Sequence, residues 1–155
     1  MDRQLITKEG HEKTKAELHR LKRVELPKNV QDIAEARAHG DLSENAEFHA
    51  AKERQAVLAS KIAELEQIIA TAEVIDPLPE PQGRVVFGAK VTVYDVDTDE
   101  EYAYCIKGQS ESDPSNGCIS ISSPIAQALL GKEEGDEVSF TTPGGKRVLE
   151  IVEVD

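Results

Sequence analysis

The chain of 155 residues has no tryptophan, two cysteines and a single methionine. Only 4% of its residues are aromatic. Two cysteines, Cys105 and Cys118, cannot build a disulfide framework, so a reducing, cytoplasmic setting is expected. No apolar run approaches the roughly 20 residues that cross a bilayer, so no membrane partner is expected. The first ten residues lack the apolar stretch of a secretory signal. Positive charge is scarce too: 18 Lys and Arg stand against 30 Asp and Glu, a formal net charge of -12. That argues against autonomous binding to a nucleic-acid backbone, which draws its affinity from Lys and Arg.

What is present is unevenly divided. Residues 1–75 hold 12 basic and 14 acidic side chains, whereas 76–155 hold 6 and 16. The first half is rich in Ala, Glu, Lys, Leu and Gln, all good helix formers. The second is rich in Val, Ile, Thr, Tyr and Gly. Between them, residues 76–83 contain Pro77, Pro79 and Pro81, which can neither continue a helix nor join a central strand. Two domains are predicted: 1–75, a linker at 76–83, and 84–155.

The first domain reads as a helical hairpin. Thr7 is a candidate N-cap with Ile6 before it, and a helical pattern runs to about His39. Leu18 and Leu21 share one stripe, and Leu26, Val30 and Ile33 another. The slip between them coincides with Pro27, where a kink or break is expected. Phe48, Ala51, Gln55, Leu58, Ile62, Leu65, Ile69 and Ala72 follow a 3-4 spacing, the seam of a coiled coil. Gln55 is its one polar member and a candidate for fixing register. The partner must be the first helix, antiparallel. Each arm of about 30 residues spans roughly 45 Å, long for one narrow seam and suited to reach.

The second domain reads as a small antiparallel sheet. Strands are predicted over 89–96, 101–107, 118–122, 137–142 and 146–154. Ser123 as N-cap, Pro124 at the first helical position and Gly131 as stop mark one short helix. The fold class is therefore a long antiparallel helical hairpin followed by an α+β domain. Cys105 and Cys118 fall in strands and read as core packing, with no nearby base to activate them.

The hairpin turn runs from Ala38 to Phe48. Gly40 can end the first helix. Asp41 and Glu44 have the D-x-x-E spacing of a capping box, and acids at a helix start also suit the dipole. The same spacing lets two carboxylates converge on a hard cation such as Mg²⁺, with the remaining ligands coming from elsewhere. His39 and His49 read as surface residues, since a zinc site needs a fuller ligand set.

Residues 35–53, EARAHGDLSENAEFHAAKE, resemble the signature of the GreA-type bacterial transcript cleavage factors. Residues 122–136, SSPIAQALLGKEEGD, are similar to that family's C-terminal signature, and Pro143-Gly144-Gly145 fits as well. Leu42, Glu47 and Ala50-Ala51 look more like this branch than its GreB-type relatives. The resemblance covers nearly the whole chain. It implies a coiled coil followed by an FKBP-like domain that docks on RNA polymerase at the rim of the secondary channel. The coiled coil would enter that channel and stimulate cleavage of nascent RNA in backtracked complexes. The polymerase would supply the catalytic site and the first Mg²⁺. Asp41 and Glu44 match the tip acids that help hold a second Mg²⁺, with Ser43, Asn45 and Phe48 as tip support; no cofactor would be tightly bound. Arg37 and Lys52, read alone as solvated charges, match positions that contact the RNA near its 3′ end. Lys52 stands where Arg is common, so a point charge replaces a bidentate fork. Phe48 stands where Tyr is usual and doubles as the first seam residue. Ser123, Pro124 and Ile125 would dock on the polymerase. A monomer is expected, and no enzyme activity of its own.

Three other readings have discriminators. Residues 130–140 also resemble FKBP-type prolyl isomerases, but their pocket has a Trp floor that this chain lacks. A coiled-coil scaffold has no need of two acids at its tip. A channel-binding inhibitor of the same family would block the polymerase without promoting cleavage.

Overall fold

A computed structural model describes residues 3–40 and 45–155. It falls into two compact units. The first spans His11–Ala72 and is a helical hairpin. Its first arm joins α1 (Lys8–Arg20), a π-helical segment (Leu21–Glu25) and α2 (Leu26–Ala38) without interruption. The second arm is α3 (Ala46–Thr71). The arms run antiparallel: Lys22 pairs with Glu66 at 3.5 Å, and Glu25 with Arg54 at 3.2 Å. Further along, the Asn29 amide donates to the Ala51 carbonyl at 3.0 Å.

The expected kink at Pro27 is instead a π-helical segment ahead of it. The Leu26 N–H reaches back five residues to the Leu21 carbonyl. One extra residue per turn rotates the following stripe, which a single inserted residue does in any helix. The step from Leu21 to Leu26 is then an ordinary four-residue step plus one. Beyond it the seam continues through Asn29, Ile33 and Ala36, again at 3-4 spacing. Val30, expected inside, is 60% exposed, whereas Asn29 is 2% exposed. Asn29 is therefore the buried polar member of the seam, and Gln55 is only half-buried, accepting from Lys52 Nζ at 2.8 Å. On α3 the predicted seam holds through Leu65: Ala51, Leu58, Ile62 and Leu65 are buried, and the last three cluster with Leu21. Beyond them Ile68 packs on the cluster and Thr71 is buried where Ile69 and Ala72 were expected, because the helix ends at Thr71. Each of these large side chains contributes on the order of 1.5–3 kcal/mol by burial.

The second unit contains residues 73–155 together with strand β1 (Gln4–Thr7) and the first turn of α1. The chain's beginning thus groups with the second unit, where the sequence reading placed 1–75 together. β1 pairs with β2 (Ala72–Ile75). Thr7 caps α1 as predicted, its Oγ1 accepting from the Gly10 N–H at 3.0 Å. The Glu111 carboxylate locks this start in place. It accepts from the N–H groups of Thr7 and Gly108, both at 3.0 Å, and from the Thr7 hydroxyl. Gly108 is required there, because a Cβ would sit 2.0 Å from the Leu5 carbonyl oxygen.

The main sheet comprises β3 (Lys90–Asp95), β4 (Glu100–Lys107), β5 (Cys118–Ser120), β6 (Glu137–Thr142) and β7 (Gly145–Val154). Their order is β5-β4-β3-β7-β6. Three pairings are antiparallel, but β4–β5 is parallel. The polar excursion 108–117, with two 3₁₀ turns, brings β5 back in the direction of β4 rather than as a hairpin. Helix α4 (Pro124–Leu129) buries Ala126 and Leu129 against Val91, Val93, Ile106, Leu149 and Ile151. No helix among the described residues is long and apolar enough to cross a membrane.

Candidate functional site

Asp41, Leu42, Ser43 and Glu44 lie outside the described residues, so the site is built from what brackets them. α2 ends at His39, and Gly40 follows with φ +112°, a conformation that suits glycine alone. α3 starts after Asn45, whose Oδ1 accepts from the Phe48 N–H at 3.0 Å. The same side chain donates through Nδ2 to the Ala36 carbonyl at 2.6 Å. Asn45 therefore caps the second arm and ties it to the end of the first. This corrects the capping-box reading, which gave the cap to Asp41. An Asn at the N-cap satisfies the N3 amide without a reciprocal acid, so D-x-x-E spacing was no guide to where the helix begins.

The bracketing residues form a charged collar. Arg37 is exposed, with its guanidinium 6.0 Å from the centre of the half-buried Phe48 ring. Phe48 also meets the His49 ring edge-on at 5.8 Å. His39 Nδ1 lies 3.1 Å from Glu47 Oε2, a second link between the arms. Lys52 is exposed on α3. Arg37 and Phe48 are thus brought together, and Asn45 bonds to Phe48 and to Ala36, the neighbour of Arg37. Sequence reasoning missed a groove of about 400 Å³ on this unit, lined by Asp32, Glu35, His39, Glu47 and Arg54 with Asn29. The signal was there in the i, i+3, i+7 spacing of Asp32, Glu35 and His39 on one face. Among the described residues no group of three or more His, Cys, Asp or Glu is placed to hold a metal ion.

The second unit offers a separate surface. Ser123 caps α4, accepting from the Ala126 N–H at 3.3 Å and donating to the Ser120 carbonyl at 2.7 Å. Pro124 is exposed and Ile125 half-buried. Both line a hollow of about 290 Å³ with Tyr104, Phe140, Pro143 and Arg147. Arg147 is held there by the buried Asp95 carboxylate at 3.0 Å and lies 5.7 Å from the Phe140 ring centre. Burial disfavours charge on Asp95, but Arg147 and the N–H groups of Asp97 and Thr98 outweigh it and hold its carboxyl below the usual range.

A helical hairpin whose second arm is capped by Asn45, joined in one chain to a sheet unit with its own exposed hollow, defines a two-unit protein. Two family models account for it. The transcription elongation factor N-terminal model of GreA/GreB matches residues 4–74, and the GreA/GreB C-terminal model matches 80–155. The chain belongs to the GreA/GreB family of transcription elongation factors. Transcription elongation factor GreA of Helicobacter hepaticus is 53% identical over 149 residues, which cover 96% of this chain and 91% of that protein. Its counterpart from Hyphomonas neptunium is 51% identical over 154 residues, 99% of this chain and 98% of the other. Among solved structures, GreA factor homolog 1 (Gfh1) of Thermus thermophilus aligns over 100% of this chain and 99% of its own, at 28% identity and a TM-score of 0.45.

Proposed function

We propose that this elongation factor is a transcript cleavage factor that works in the cytoplasm on backtracked RNA polymerase. The observation that carries this is the pairing of the family match along both units with the assignment of the α3 cap to Asn45. Asn45 caps α3, so Asp41 and Glu44, which precede it in sequence, take in this reading a role beyond helix capping. The hairpin enters the secondary channel and carries them to the polymerase's catalytic centre. Carboxylate oxygens are the donors Mg²⁺ prefers, and two of them leave most of its coordination to the polymerase, RNA and water. When bound, Mg²⁺ lowers the pKa of a coordinated water and so supplies a nucleophile. Asp41 and Glu44 are the residues that would hold the ion together with the polymerase. Asn45 ties the start of the following helix to the end of the first arm, and Ser43 lies between the two acids in sequence. Arg37, braced on Phe48, and Lys52 attract the RNA phosphates near the 3′ end. The Ser123–Ile125 corner docks on the polymerase at the rim of the channel.

In this reading Asp41 and Glu44 assist, and the polymerase performs the hydrolysis. The test adds the full-length protein to stalled, backtracked complexes and follows the RNA. Shortening from the 3′ end, with no RNA hydrolysis by the metal-loaded protein alone, is the expected result. Inhibition of elongation without shortening, or hydrolysis in the absence of polymerase, contradicts the proposal.

A further inference from the structure

The two cysteines of the chain, read from sequence as separate core residues, are brought together by the one parallel pairing in the sheet. Cys105 on β4 and Cys118 on β5 are direct register partners. Partners in a parallel pair project to the same face, here the face opposite Ile106 and Ile119. Both are free thiols and half-buried. Adjacent strands lie about 4.8 Å apart, within the roughly 4.4–6.8 Å between Cα atoms that a disulfide bridges. β5 has three residues and forms the sheet's edge, so it can adjust to a cross-link. We propose that Cys105 and Cys118 are a peroxide-responsive dithiol that closes reversibly to an intramolecular disulfide.

The chemistry balances with a peroxide as the oxidant. The Cys118 sulfur, on the edge strand, attacks a peroxide oxygen. The S–O bond forms as the O–O bond breaks, and the departing hydroxide takes the thiol proton to give water. Cys118 is then a sulfenic acid, oxidised by two electrons. The Cys105 sulfur attacks it; the S–S bond forms, the S–O bond breaks, and hydroxide leaves with the Cys105 proton as a second water. Burial pushes the Cys105 thiol up, with Lys107 and Lys90 opposing, so this sulfur is the slow first nucleophile and the natural resolving partner.

The test treats the reduced full-length protein with hydrogen peroxide, alkylates the remaining thiols and reads intact mass and peptides. The expected product lacks two hydrogens, takes up no alkylating reagent, contains a linked Cys105–Cys118 peptide and reverts with dithiothreitol. Cys105→Ser should instead accumulate a Cys118 sulfenic acid trapped as a single dimedone adduct, with circular dichroism unchanged. Peroxide treatment that leaves both thiols free for alkylation, carries one cysteine on to the sulfinic acid, or links separate chains overturns the proposal.

Discussion

Asn45 bonds to both arms of the hairpin through one side chain, to Phe48 on α3 and to Ala36 on α2. Removing it should loosen the start of α3 and its tie to α2. Asn45→Ala is expected to cost about 1 kcal/mol of hairpin stability, the usual worth of such a cap. Asn45→Asp keeps an acceptor for Phe48 but places a carboxylate against the Ala36 carbonyl, so it should lie between the two. Urea unfolding followed by circular dichroism checks both. No sequence pattern pointed to Asn45 as the cap, since Asp41, four residues earlier, fits a helix start equally well by composition. The tip acids were legible as acids; the role proposed for them came from the resemblance. Asn29 was illegible for a different reason. Polarity argued for Val30 inside, but position on the seam decides burial, and Asn29 is accommodated there because its amide reaches the Ala51 carbonyl.

The π-helical segment is the element that sets this position. It adds one residue between Leu21 and Leu26, so that two 3-4 patterns out of phase in sequence share one seam in space. Deleting the exposed Arg23 should convert the first arm to an unbroken α-helix, with both halves of the seam still facing α3. Its unfolding free energy should stay within about 1 kcal/mol of the parent. Deleting Gln31 instead should turn Ile33 and Ala36 off the seam and cost about 2 kcal/mol or more. Equal losses in both deletions, by thermal melting, would contradict this account of the arm. The α3 seam and most strands were legible because hydrophobic period is local information. The strand Gln4–Thr7 and the parallel β4–β5 pairing were not, because each depends on a partner that the intervening chain brings alongside.

At the scale of the whole molecule, the unit division has a consequence for dissection. Residues 76–155 alone lack β1, so Glu111 loses Thr7 and the segment around Gly108 loses Leu5. That fragment should melt at a lower temperature than the sheet unit in the full chain, with faster amide exchange at 108–112; equal values would show β1 to be dispensable. The central claim concerns the tip, and the most direct measurement compares RNA cleavage with polymerase binding for the full-length Asp41→Asn/Glu44→Gln variant. Both changes preserve size while removing charge, and the Asn45 cap is untouched. Affinity for the polymerase should stay within about twofold, while stimulated cleavage falls by on the order of 10²-fold or more and recovers in part at raised Mg²⁺. Cleavage at the parent rate, or a loss that merely tracks weaker binding, would contradict the assignment of Asp41 and Glu44.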